Sequence, residues 1–155
     1  MKTLKDEGRI RHYGFSFHDT ADKLDEILTR HPDAEFVQLQ INYLDWDSED
    51  VQSRLVYETA LKHGKPVVIM EPLKGGLLAS DSSPIRRVLK AAAPGKSLAS
   101  WAVRFAASLG GIVTMLSGMN SLEQLADNIA TVKNLRPLTD DEAAAVREAV
   151  GILNS

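Results

Sequence analysis

The chain has 155 residues, of which 44% are hydrophobic and 25% are charged, as expected for a globular domain with one core. The formal net charge is −3, and basic residues are interspersed with acidic ones, which argues against a nucleic-acid partner. Cysteine is absent, which excludes disulfides, thiolate metal sites and cysteine nucleophiles. Without a membrane-length apolar stretch or a signal-peptide pattern, we expect a cytoplasmic protein with no membrane partner.

Four short apolar segments are typical of buried parallel strands. They are RIRHYGFS, FVQLQINY, PVVIM and GIVTMLSG, at residues 9–16, 36–43, 66–70 and 111–118. Longer segments of helical period separate them, and this alternation indicates βα units on a parallel sheet.

Helical segments follow every predicted strand. After the second strand, Ser48 is a candidate cap for a helix that turns Val51, Leu55 and Thr59 towards the core. After the third strand, SSPIRRVLKAAAPGK predicts a short extra helix between prolines, ahead of the crossover helix SLASWAVRFAASLGG. The segments NSLEQLADNIATVKN and PLTDDEAAAVREAVGILN predict two further helices, the last opening with a capping box of Thr139 and Glu142.

The order of these elements defines the predicted fold class. Successive parallel βα units wind in one direction because their crossovers are right-handed. We therefore predict an α/β fold that is half of a (β/α)8 TIM barrel: four parallel βα units, a short extra helix and a C-terminal helix, with residues 1–155 as a single domain. A doubly wound sheet is less favoured, since no GxGxxG follows the first strand.

Polar side chains cluster where the second strand ends. Gln38, Gln40 and Asn42 alternate and would face the barrel interior, where amides need hydrogen-bond partners. A ligand with a carboxamide group would supply them. The alternative is that they bind each other or the backbone.

Two loops after the later strands have features of anion sites. Lys74, Gly75 and Gly76 combine a cation with backbone that can approach a phosphate closely. The helix that starts at Asn120 and Ser121 offers a second N-terminus that favours anions. Such loops also occur as plain turns.

The segments GRIRHYGFSFH, FVQLQINYLD, GKPVVIMEPLKGGLLA and SLASWAVRFAASLGGIVTMLSGMNSLEQLADNI together resemble the aldo/keto reductase superfamily. The match covers nearly the whole chain and corresponds to βα units 5 to 8, the C-terminal half of that barrel. The segments EPLKGGLLA and LSGMNSLEQLADN are similar in sequence to a bacterial branch of the family. Members of that branch often carry a ferredoxin-like tail, and this chain stops before any such tail.

The resemblance implies a nucleotide site. It places Ser16 and Gln38 at the nicotinamide carboxamide, with Phe17 where the family has Asn, and Met70 where an aromatic residue commonly stacks on the ring. The remaining implied cofactor residues belong to the two later loops: Pro72, Leu73, Lys74 and Gly75 at the pyrophosphate, and Gly118, Met119, Asn120, Gln124, Asp127 and Asn128 along the adenosine. NADP(H) is the expected cofactor and NAD(H) the alternative, since Gln124 stands where many relatives have a cation for the 2′-phosphate.

The family's catalytic Asp, Tyr, Lys and His belong to the first four βα units, so the resemblance assigns no catalytic residue to this chain. It implies NAD(P)H-dependent carbonyl reduction in a complete barrel, and this chain alone is expected to be inactive. Free strand edges predict a homodimer.

Two other functions stay open. One is a non-catalytic nucleotide-binding or structural half-barrel. The other is an unrelated phosphate-binding enzyme that uses Glu71, Lys74 and His18 as acid, electrophile and base.

Overall fold

The computed structural model describes residues 1–155 and contains one four-stranded sheet. The strands are β1 (Gly14–Phe17), β2 (Phe36–Gln40), β3 (Val67–Met70) and β4 (Ile112–Met115). They lie in chain order, and each adjacent pair is parallel. This is half of a (β/α)8 barrel, which confirms the predicted fold class.

Seven α-helices and one 3₁₀ segment accompany the sheet. The helices are α1 (Lys2–Asp6), α2 (Ala21–Arg30), α3 (Ser53–Lys62), α4 (Arg86–Ala92), α5 (Leu98–Ala107), α6 (Leu122–Lys133) and α7 (Asp140–Leu153). The 3₁₀ segment, Lys74–Ala79, follows β3. The short extra helix predicted between prolines is α4, and the capping box of Thr139 and Glu142 opens α7 as predicted. None of these helices has both the length and the apolar character that a membrane span requires.

Alternation along the strands separates two environments. Val37, Leu39, Val67 and Ile69 are fully buried and form a cluster with residues of α2 and α3. The intervening residues, among them Gln38 and Gln40, are only half-buried and lie on the other face of the sheet. A second apolar cluster, centred on Trp101, joins α4, α5 and α7. The sheet therefore packs helices on one face and presents a polar row on the other.

The first strand is shorter than predicted, because residues 9–13 do not join the ladder. This segment is held instead by Glu35, whose carboxylate accepts hydrogen bonds from the Tyr13 backbone N–H at 3.3 Å and from Lys5 Nζ at 2.6 Å. His12 Nδ1 lies 2.7 Å from the same carboxylate. The strand begins at Gly14, where any Cβ would lie 2.2 Å from the Phe36 carbonyl oxygen.

The predicted inner face of the second helix is wrong. This helix, α3, begins at Ser53, after Gln52 in a left-handed conformation, and not near Ser48. The face that packs against the sheet carries Val56, Tyr57 and Ala60, which are buried, while Leu55 is 44% exposed.

Candidate nucleotide site

The polar row on the sheet brings together the residues predicted at the nicotinamide. Ser16 pairs in register with Gln38 on the adjacent strand, and Gln40 pairs with Met70. The Gln38 amide nitrogen donates to the Met70 sulfur at 3.3 Å. A thioether is a weak acceptor, so this amide can exchange it for a better partner.

Asp45 is the centre of a cluster that sequence reasoning missed. The Gln40 amide donates to its carboxylate at 2.7 Å, and the Asn42 amide donates to the same oxygen at 2.8 Å. Asn42 also accepts from the backbone N–H groups of Leu44 and Asp45, which turns the chain back. The amides of Gln40, at the end of β2, and of Asn42, just beyond it, are thus satisfied within the chain. The available sequence signal for this cluster was the spacing of Asn42 and Asp45, an Asn and an Asp three residues apart.

Lys74 completes this cluster. Its Nζ donates to the two carboxylate oxygens of Asp45 at 2.8 and 2.9 Å. Burial alone would raise the pKa of Asp45, but hydrogen bonds from Lys74, Gln40 and Asn42 outweigh it and hold that pKa below its usual range. The charge of Lys74 is therefore already neutralised by a neighbouring loop.

The loop after β3 has an unusual backbone. Four of its residues have positive φ: Glu71 at 57°, Lys74 at 48°, Gly75 at 62° and Gly76 at 95°. The N–H groups of Lys74 and Gly76 are bonded within the loop, to the carbonyls of Glu71 at 3.1 Å and Leu73 at 3.0 Å, whereas the Gly75 N–H makes no such bond and can donate to an anion. A Cβ at Gly75 or Gly76 would meet no atom within 4 Å, so this side of the loop is open.

A cavity of about 680 Å³ lies between this loop and the loop after β4. It contains six of the predicted cofactor residues: Pro72, Leu73, Gly75, Gly118, Asn120 and Gln124. Glu71, Gly76, Leu116 and Ser117 complete the lining, which includes no lysine or arginine. The cavity is therefore lined by the backbone of three glycines and by one carboxylate, that of Glu71.

The first turn of α6 forms one wall of the cavity. Ser121 Oγ accepts from the Gln124 backbone N–H at 3.2 Å, and the Gln124 side-chain oxygen accepts from the Asn120 N–H at 2.9 Å. The Gln124 amide nitrogen makes no hydrogen bond within the chain and can donate to a ligand. Met119 is 37% exposed beside it.

Asp127 and Asn128 are engaged elsewhere. Asp127 accepts from Ser97 Oγ at 2.5 Å, in a polar cleft between α5 and α6. The Asn128 amide donates to Ser117 Oγ at 3.2 Å, and its oxygen is buried without a partner. Neither residue lines the cavity.

Tyrosines lie away from this cavity. Tyr13 donates to Asp33, a contact that raises the pKa of Tyr13 to about 12, and Tyr57 donates to the Gly110 carbonyl at 2.8 Å. The Tyr43 hydroxyl is buried without a partner. None of the three lines the cavity.

The fold and the site define a parallel α/β half-barrel with a polar cavity at the carboxyl ends of its last two strands. Residues 1–150 match the sequence profile of the aldo/keto reductase family. The chain belongs to this family of oxidoreductases. No curated protein matches the sequence.

Solved structures give the same fold. Aldo-keto reductase AKR11C1 from Bacillus halodurans, in its apo form, is 24% identical with a TM-score of 0.73, and the match covers 96% of this chain and 54% of that one. An aldo-keto reductase from Klebsiella pneumoniae in complex with NADPH is 21% identical with a TM-score of 0.71, over 96% of this chain and 51% of that one. The chain thus spans about half the length of these structures.

Proposed function

We propose that residues 1–155 form one domain that binds NADP(H), as the cofactor-binding C-terminal half of an aldo/keto reductase-like oxidoreductase. The observation that carries this proposal is the cavity between the loops after β3 and β4, which unites six residues expected at the nucleotide. The NADPH complex of the Klebsiella structure supports it. When bound, such a nucleotide supplies a hydride to a carbonyl carbon.

The open backbone of the two loops fits the pyrophosphate. Gly75 and Gly118 have no atom within 4 Å of the position where a Cβ would lie, and their N–H groups make no hydrogen bond within the chain, so phosphate oxygens can approach these N–H groups. The N-terminus of α6 adds a favourable dipole. The pairing of Lys74 with Asp45 leaves these backbone groups as the main donors.

The half-buried row of the sheet fits the nicotinamide end. Ser16 and Gln38 can bind the carboxamide once Gln38 releases the Met70 sulfur, and Met70 then contacts the ring. At the adenosine end, Gln124 and Met119 lie beside the cavity, while Asp127 and Asn128 would have to exchange their serine partners for the ligand.

The choice between NADP(H) and NAD(H) depends on the 2′-phosphate. No lysine or arginine lines the cavity, and the free amide of Gln124 can donate to either a phosphate or a ribose hydroxyl. We therefore expect NADPH to bind no more than about tenfold tighter than NADH, or ~1.4 kcal/mol.

Carbonyl reduction requires groups that these residues do not bring to the cavity. A proton donor has to lie within hydrogen-bond reach of the substrate oxygen, and none of the three tyrosines lines this site. We infer that the chain alone binds nucleotide without turnover, and that a carbonyl substrate binds only in a complete barrel. A cytoplasmic location and a homodimer formed through free strand edges belong to the same proposal.

The second candidate function is a non-catalytic half-barrel, nucleotide-binding or purely structural. The capture of Lys74 by Asp45 and the exposed Glu71 carboxylate in the cavity favour it, since both weaken the attraction for phosphate. The other alternative, an unrelated phosphate-binding enzyme with Glu71, Lys74 and His18 as acid, electrophile and base, gains no support. Lys74 is already paired with Asp45.

The test is a titration of the purified chain with NADPH and NADH, followed by nucleotide fluorescence. Gly118→Leu fills the cavity, and Gly95→Leu is the matched control, because both glycines lack positive φ and have open space at Cβ. We expect saturable binding, weakened at least about tenfold by Gly118→Leu only. Absence of binding at millimolar nucleotide, or equal effects of both variants, would contradict the proposal. Binding without NADPH oxidation on 4-nitrobenzaldehyde is the expected companion result.

A further inference from the structure

Two buried residues of the loop after β2 hold the loop after β3. The Asn42 amide donates to the Glu71 carbonyl oxygen at 3.0 Å, and the Asp45 carboxylate accepts from Lys74 Nζ at 2.8 and 2.9 Å. Asn42 and Asp45 are both buried, and neither lines the cavity. The loop after β3 is therefore attached at two points to residues that lie outside the candidate site.

The two attachment points are the residues of this loop whose conformation is unfavourable. Glu71 and Lys74 have φ values of 57° and 48°, and a residue with a Cβ disfavours this left-handed region, which glycine adopts freely. Such a backbone persists only where the surrounding structure fixes it. Asn42 and Asp45 supply these contacts, whereas the two glycines that follow Lys74 do not need them.

The conformation held in this way decides what the loop presents to the cavity. Gly75 lines the cavity with an N–H that makes no hydrogen bond within the chain, whereas the N–H groups on either side of it are bonded within the loop. Lys74 does not line the cavity, and its charge is paired on the other side, with Asp45. Lys74 thus affects the cavity through the backbone and not through its charge.

We propose that Asn42, Asp45 and Lys74 are positioning residues for nucleotide binding, which hold the loop after β3 ready for a pyrophosphate without contacting it. The inference rests on the proposed nucleotide site and assigns these residues their part in it. A loop that is already ordered raises affinity, because its ordering does not have to accompany binding. The alternative is that Lys74 leaves Asp45 and contacts the phosphate itself, and it predicts the opposite effect of Asp45→Asn.

NADPH titrations of Asp45→Asn, Lys74→Met and the double variant separate these two roles. Each single variant should weaken binding at least about fivefold, and the double variant should lose no more, because the second change removes a contact that is already lost. Direct contact predicts instead that Asp45→Asn binds more tightly, since it frees Lys74. Asp47→Asn is the matched control, because Asp47 belongs to the same loop but pairs with Arg54, away from the cavity. It should bind like the wild type.

The salt dependence of the affinity is a second readout. The double variant has the same net charge as the wild type, because it loses one acidic and one basic group. If Lys74 contacted the phosphate, salt would screen that attraction, and the double variant would depend less on ionic strength. We expect the two proteins to show the same dependence between about 50 and 500 mM chloride.

Hydrogen exchange of the Gly76 amide reports on the loop without nucleotide. This N–H donates to the Leu73 carbonyl at 3.0 Å, so its exchange follows opening of the loop. It should exchange at least about fivefold faster in Asp45→Asn and in Lys74→Met, and at the wild-type rate in Asp47→Asn. If Asp45→Asn does not fold, as circular dichroism can show, Lys74→Met decides, since a lysine that only contacts phosphate would leave this exchange unchanged.

The outcomes separate this inference from the proposed function. Wild-type binding with equal affinity of the variants, with tighter binding by Asp45→Asn, or with unchanged Gly76 exchange overturns the positioning role alone. Absence of wild-type binding overturns the proposed function and this inference with it. Equal losses in the single and double variants, together with faster Gly76 exchange and an unchanged salt dependence, support the positioning role.

Discussion

At the scale of single residues, the contact between Asp45 and Lys74 organises the candidate site. Asp45 is 4% exposed and belongs to the loop after β2, whereas Lys74 follows β3. Their ion pair therefore joins two loops and supports the left-handed backbone that faces the cavity. A buried carboxylate that loses one partner is costly, so this pair should matter more than the surface pairs.

Lys74→Met removes the charge and keeps most of the length of the unbranched side chain. We expect the free energy of unfolding at pH 7 to fall by about 1–3 kcal/mol, less than for a fully buried pair because Lys74 is partly exposed. The pKa of Asp45 should rise, since burial would then be opposed only by Gln40 and Asn42. Because that pKa is depressed in the native chain, the stabilisation is present above the unfolded pKa and is lost as pH falls through the folded one.

Urea unfolding and an NMR titration of Asp45 measure these effects. Lys23→Met is the control, since its partner Glu26 is exposed, and its cost should stay below about 0.5 kcal/mol. Equal costs for the two variants would show that the Asp45 contact adds nothing beyond a surface pair.

The sequence indicated the polar residues of this site but not how they pair. Gln40 and Asn42 were expected to need hydrogen-bond partners, and alternation placed Gln40 correctly, whereas the strand ends before Asn42, which lies in the loop that follows. Their common partner, Asp45, could not be found by periodicity because it lies in a loop whose turn depends on Asn42. The capture of Lys74 depends on the proximity of two loops that are 29 residues apart in the chain, which only the folded sheet creates.

At the scale of elements, one ion pair fixes the last helix against the barrel. Arg104 on α5 donates to the two oxygens of Glu142 at 2.7 and 2.6 Å. Glu142 also caps α7 by accepting from the Thr139 N–H at 3.0 Å. The hydrogen bond from Arg104 lowers the pKa of Glu142 to about 2. The same carboxylate thus starts the helix and anchors it.

Glu142→Gln should destabilise the chain at pH 7, where the native carboxylate is ionised in both states. The folded pKa of about 2 lies below an unfolded value near ~4.3. The contribution of Glu142 is therefore fully present above about pH 5 and is lost as pH falls towards 2. Wild type and variant should converge over this window in denaturant unfolding. Glu148→Gln, an exposed change on the same helix, is the matched control.

Helix boundaries decided which elements were predicted correctly. Thr139 and Glu142 identified the start of α7 because a capping box is a local signal. For α3 the local signal was misleading: the chain makes further turns after Ser48, and the Arg54 N–H bonds to the Trp46 carbonyl at 3.0 Å. The cap is Gln52, four residues after Ser48, and the helix buries Val56 and Ala60, so the apolar pattern was assigned to the wrong face.

At the scale of the whole molecule, the two ends of the sheet differ in what they expose. Strands β2 and β3 each have a partner on both sides, while β1 and β4 have one. Helix α2, after β1, carries the paired charges of Lys23, Glu26 and Arg30, whereas α6, after β4, exposes the apolar residues Leu122, Leu125, Ile129 and Val132. Sequence predicted two free edges but not this asymmetry, because the α6 pattern alone does not reveal that the polar side of the helix faces inward.

Hydrogen exchange tests the association through free strand edges that is proposed above. An amide covered by a second copy is protected in proportion to the free energy that opens it. At high protein concentration we expect the amides of the edge strands, Gly14–Phe17 and Ile112–Met115, to exchange at least about tenfold more slowly than in dilute protein, which corresponds to ~1.4 kcal/mol. Dilution should abolish this protection, because both strands then become free edges. Exchange that does not depend on protein concentration would mean that both edges stay open.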